Sequence, residues 1–162
     1  MELRFVNGEQ HVYANGEDVS GEIRTPAVSM AASAVSAIPA VRQFLFDLQR
    51  DIAQKNCVIM DGRDIGTVVL PWAQIKIFLS ASPEARARRR FDELQEKGQK
   101  VSFDEVLADM QKRDYDDTHR AIAPLKQAED AVPVDTSALS LEQSIALLTT
   151  IVKERLACLT EN

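Results

Sequence analysis

Asp61-Gly62-Arg63-Asp64-Ile65-Gly66 places two carboxylates, a guanidinium and two glycines within six residues. An arginine fork can grip a phosphate through two parallel N–H bonds. A carboxylate directly after a strand can hold Mg²⁺ through water. A plain turn with a local ion pair is the alternative, although a turn does not require three charges. Arg113, Asp117 and Arg120 recur at helical spacing and share one predicted helix face, while Asp114 and Asp116 point elsewhere. That face could hold an anion with its arginines and a sugar hydroxyl with its carboxylate, or it is a solvated face with one ion pair. Arg86, Arg89 and Arg90 share a third face beside Arg88. They read either as a basic solvated helix or as a lid that closes positive charge over a polyphosphate. Gly98 and the polar run 95–100 would then form the lid loop.

Weaker signals surround these three clusters. Ser29, Ser33 and Ser36 lie in an Ala-rich helical stretch, where small residues favour close packing. Of the three, Ser33 could offer a hydroxyl to a base edge, with Arg42 in the next helix. His11 and His119 are too far apart in sequence to suggest a metal pair and read as surface residues. Trp72 is expected to pack. Cys57 and Cys158 have no metal-ligand spacing and read as free thiols with structural roles.

These residues need elements to position them. Short runs at 3–6 and 11–14 are separated by Asn7-Gly8 and followed by Asn15-Gly16. Asn-Gly is a hairpin signal, because both central positions of a type I′ turn take positive φ. With a third short strand near 17–19 the start reads as a small antiparallel insert. Thr25-Pro26 opens a helix, with Thr25 as N-cap and Pro26 at the first helical position. Pro39 opens another, with Val41, Phe44, Leu45, Leu48 and Ile52 on one face. The apolar runs 57–60, 75–79 and 131–134 read as buried parallel strands. Ser82-Pro83 starts a helix after the second run. Ser102 with Glu105 and Ser140 with Gln143 cap two more. Strands alternating with helices predict an α/β fold with a parallel sheet. Ligands of such sheets sit beyond the carboxyl ends of the strands, here at 61–64, 80–82 and 135–137.

The whole sequence sets outer limits. The 162 residues carry 19 Lys and Arg against 25 Asp and Glu, a net charge of −6. That excludes a general nucleic-acid coat but leaves room for a local anion pocket. Hydrophobic residues make up 45%, which suits one domain with a core. No apolar run approaches the roughly 20 residues that cross a membrane, and the first residues have no signal-peptide character. A cytoplasmic protein is expected.

The motifs in this order resemble bacterial cytidylate kinase, a nucleoside monophosphate kinase. The resemblance runs through 16–25, 33–42, 61–69 and 76–79, then Arg113-Asp114 with Asp117 and Arg120, Ala123-Pro124-Leu125 and Asp135-Thr136. It implies transfer of the γ-phosphoryl group of ATP, with Mg²⁺, to CMP or dCMP. By the same resemblance, Ser33, Arg42 and Asp64 read cytosine, Arg63 grips the CMP phosphate, and Arg113 and Asp117 hold the sugar and phosphate region. Arg120 serves the phosphoryl-transfer centre with Arg113, Asp61 lies near Mg²⁺ through water, and Arg86, Arg89 and Arg90 belong to the lid.

The sequence departs from the family at one point. None of its six glycines begins a G-x-x-x-x-G-K-[ST] phosphate loop. The resemblance therefore implies a chain that lacks the family's first third, including the central strand before that loop. No tight binding of ATP and Mg²⁺ is expected, and turnover by this chain alone should be poor. The strands ending at Asp61 and near Leu79 would face a gap, and such edges favour self-association. The alternatives are a non-catalytic CMP-binding or interaction module, or a subunit completed in trans. Three parts are expected: the β insert at 1–24, a helical CMP-binding part at 25–56, and the remaining kinase core at 57–162 with lid helices around 83–118.

Overall fold

Two Asn-Gly pairs shape the first sheet. Asn7 and Gly8 have φ of 53° and 86°, and Asn15 and Gly16 have 52° and 89°. These left-handed pairs match the twist of the strands they join. In the computed structural model, which describes residues 2–36 and 38–160, β1 (Glu2–Val6), β2 (Glu9–Ala14) and β3 (Glu17–Asp18) form an antiparallel meander. Ser20 closes it: its hydroxyl donates to Asp18 and accepts from the Val12 amide. A 3₁₀ turn at Glu22–Arg24 leads to α1 (Pro26–Ser36), where Thr25 Oγ1 accepts from the Val28 amide at 3.3 Å. The cap lies where the sequence places it. α2 (Pro39–Lys55) follows. Ala37, inside the matching stretch 33–42, lies outside the described residues.

The chain divides between Lys55 and Asn56 into two compact units. In the second, β4 (Ile77–Ser80) and β5 (Val132–Asp135) pair in parallel, with Ile77 opposite Val132 and Ser80 opposite Asp135. α3 (Pro83–Glu96) starts after β4, where the Ser82 hydroxyl accepts from the Ala85 amide. α4 (Phe103–His119) starts on a complete capping box between Ser102 and Glu105. The two helices pack through Ala87, Leu94 and Val106, flanked by Phe91, Phe103, Leu107 and Met110. α5 (Leu141–Thr160) carries the reciprocal Ser140–Gln143 bonds. Helices, a small parallel sheet and an antiparallel sheet give the α/β class expected. Among the described residues no single helix is long and apolar enough to cross a membrane.

Several expectations are corrected. Residues 57–60 form no strand, and Ile59 is fully exposed. An apolar run becomes a buried strand only when neighbours complete its ladder, and no described strand pairs with it. Trp72 is half exposed in a turn. Cys57 and Cys158 are free thiols, as expected, and both are exposed. The apolar face of α2 is a true helical face, yet Phe44, Leu45, Leu48 and Ile52 all remain exposed. Leu141 and Ile145 of α5 do too. Spacing identifies a helix, whereas burial needs a partner surface.

Candidate functional site

The 61–66 motif is built around a wide turn. Residues Ile65–Val69 form one turn of π-helix, in which Leu70 N–H donates to Ile65 O at 2.7 Å and the Val68 and Val69 amides both reach Asp64 O. Neither motif glycine is left-handed. Gly62 is needed for space instead: a Cβ there would lie 2.8 Å from Ile65 Cγ1. The turn aims Arg63 and Asp64 at the end of α4, more than fifty residues on.

Arg63 Nε donates to Asp117 Oδ2 at 2.9 Å, and Arg113 Nε lies 4.0 Å from the same oxygen. The Asp117 side chain is 8% exposed, whereas both arginines are 42% exposed. One buried carboxylate thus holds two guanidiniums whose outer edges meet solvent. Asp117 also anchors the following loop, since its carbonyl accepts from the Leu125 amide at 2.8 Å.

Arg120 is not on the helix face with Arg113 and Asp117, as its spacing suggests. It is the C-cap residue of α4, in extended conformation. There Nε donates to Ala123 O at 2.5 Å, and Nη2 lies 3.5 Å from Asp64 Oδ1. Arg120 Nη2 is buried and has no hydrogen-bond partner among the described residues. Such a donor is costly unless something else completes it, and an anion oxygen would. Ala123 is left-handed at φ 50°, a conformation that costs an alanine roughly 1–2 kcal/mol and here turns its carbonyl toward Arg120.

Asp114 points toward α3. Arg86 grips it from α3 with two bonds, Nη1 to Oδ1 at 2.9 Å and Nη2 to Oδ2 at 2.5 Å. That grip, with Arg63 and Arg113 nearby, holds the carboxyl below its ordinary range. Arg86 also donates to Ala81 O. Arg89 donates to Thr136 O and Leu139 O, and Arg90 pairs with Glu93. The three expected lid arginines are thus engaged by protein groups. Asp61 is exposed at the start of the motif. In the first unit, Ser33 is half-buried with its carbonyl accepting from Ser36, and Arg42 lies in the first turns of α2.

A family model described as cytidylate kinase matches residues 1–154. The chain belongs to the cytidylate kinase family. It is 49% identical to the cytidylate kinase of Lactobacillus johnsonii over 155 residues and 52% identical to that of Geobacter sulfurreducens over 157. Each match covers 96% of this chain and 67% of the relative. The cytidylate kinase of Pasteurella multocida is 49% identical, with 96% of this chain and 70% of the relative covered. The chain therefore spans about two thirds of the length of these relatives. Cytidylate kinases are phosphotransferases, so the polar cluster belongs to an enzyme family.

Sequence reasoning missed two contributors to this cytidylate kinase cluster. The pairing of Asp114 with Arg86 is not legible from helical spacing, which cannot show which helix packs alongside; an acidic residue one turn beyond Met110, on the packed side of α4, is the available signal. The left-handed Ala123 has no signal in sequence, since alanine seldom takes that conformation. For Mg²⁺, no three described His, Cys, Asp or Glu side chains are grouped to hold an ion. Mg²⁺ on a nucleotide needs only one or two carboxylates beside phosphates and water, and exposed Asp61 fits that lesser demand.

Proposed function

We propose that the chain carries the acceptor side of a (d)CMP kinase, which receives the γ-phosphoryl group of ATP and yields CDP or dCDP. The supporting observation is the joining of the 61–66 motif to the end of α4 through Arg63–Asp117 and Asp64–Arg120. Arg63 and Arg113 present positive charge to the CMP phosphate. Asp117 orients both and accepts from a ribose hydroxyl. Arg120 Nη2, buried and without a hydrogen-bond partner among the described residues, donates to an oxygen of the transferring group. Phosphoryl transfer depends on such positioned charge rather than on a covalent intermediate. Asp64 accepts from the cytosine amino group, which uracil lacks. Ser33 and Arg42 share base reading by their place in the family pattern.

When bound, ATP with Mg²⁺ supplies the phosphoryl group, and Asp61 is the carboxylate that would hold the ion through water. These 162 residues encode no G-x-x-x-x-G-K-[ST] cradle. Turnover is accordingly expected to require such a cradle in addition to these residues, while acceptor binding does not. Calorimetric titration of the chain with CMP, and with UMP as control, tests the reading. Binding of CMP in preference to UMP supports it, and equal or no binding of the two removes it. Robust CMP-dependent ADP formation by these 162 residues alone would overturn the requirement for that cradle.

A further inference from the structure

The apolar seam between α3 and α4 takes Phe103, Val106, Leu107 and Met110 from α4. One turn beyond Met110, on the same side, stands Asp114. Arg86 meets it from the first turns of α3, and the same guanidinium donates through Nε to Ala81 O at 3.0 Å, just past β4. Arg86 therefore joins the carboxyl end of β4 to the turn of α4 that bears Arg113 and Asp117. A two-pronged arginine–carboxylate bond fixes both distance and angle, which apolar contact does not.

We propose that Asp114 is a positioning residue of the acceptor site: held by Arg86, it sets the register of Arg113 and Asp117 against the end of β4. This rests on the CMP-kinase reading only for the name of the ligand. Arg86 grips the Asp114 carboxylate from α3, and the charges of Arg63 in the 61–66 motif and Arg113 on its own helix also favour the ionised form. That environment gives a test with a sign. If Asp114 acted only through its charge, neutralising it beside Arg63 and Arg113 would strengthen binding of an anionic nucleotide. If it positions, neutralising it weakens binding.

The experiment compares Asp114→Asn, Asp114→Glu and Arg86→Lys with the unmodified chain. It reads CMP affinity by calorimetry and, without ligand, exchange protection of the Leu125 amide that bonds Asp117 O. Asp114→Asn is expected to weaken CMP binding about tenfold, the loss of one charge-assisted contact, and to lower Leu125 protection. Arg86→Lys should act in the same direction, because it keeps the charge and loses the fork. Asp114→Glu should retain most of both. Equal or tighter CMP binding by Asp114→Asn overturns the proposal. Should the unmodified chain bind no CMP, the kinase reading fails separately. Leu125 protection then decides alone: a fall in both Asp114→Asn and Arg86→Lys upholds positioning, and no change in either refutes it.

Discussion

At the scale of single residues, the cluster works by unequal burial. Asp117 is nearly buried while its arginine partners keep exposed edges, so the carboxylate holds the cations in place and they remain accessible. Asp117→Ala should cost about 1–3 kcal/mol in chemical denaturation, the range for a charged hydrogen bond, and not the larger loss of a fully buried pair, because Arg63 can rehydrate. The same variant should abolish measurable CMP binding. Asp114 makes a second, pH-dependent contribution. Its folded pKa lies below the ordinary value, so its stabilisation is complete above about pH 4 and is lost as pH falls through the folded pKa. Asp114→Asn should therefore melt lower than the unmodified chain at pH 7, and the difference should shrink in acid. A difference unchanged between pH 7 and pH 2.5 would show that the carboxylate's charge stabilises nothing.

At the scale of elements, the helices begin where side chains satisfy their first amides. Ser82, Ser102 and Ser140 each accept from an amide three residues on. Ser102→Ala removes the acceptor of the α4 box and should cost about 1 kcal/mol, read as a lower denaturation midpoint. These starts were legible in sequence because capping is local: the donor and acceptor lie three residues apart. The hairpins were legible for the same reason, since Asn-Gly fits its turn wherever the strands go. Residues 57–60 were not. A parallel strand takes its hydrogen bonds from chain distant in sequence, and an apolar run records only a readiness to be buried. Arg120 shows the same limit at finer grain, since helical spacing continues one residue beyond the helix itself.

At the scale of the whole molecule, apolar side chains of several elements remain at the surface. Phe44, Leu48, Ile59, Leu79, Ile145 and Leu156 are all exposed. Single exposed apolar residues are ordinary, but entire helical faces and open strand edges favour association. The chain is expected to self-associate in solution, and size exclusion with light scattering should give a mass above 18.0 kDa that rises with concentration. A monomer at every concentration would show that these faces do not associate on their own. Family membership was also legible at this scale, because the motifs follow one another in order along nearly the entire chain.

The turns, the caps, the helical faces and the residue types gathered in the site follow from the order of the residues alone. Each of these rests on interactions within a few residues or on the chemistry of a side chain. Only the tertiary structure decided that Asp117 is shared by Arg63 and Arg113, that Asp114 belongs to Arg86, and that Trp72, Cys57 and Ile59 face solvent. Pairing across 54 residues, or across two packed helices, depends on where distant segments meet. A side chain's type fixes what it can bond, and the fold fixes which partner comes within reach.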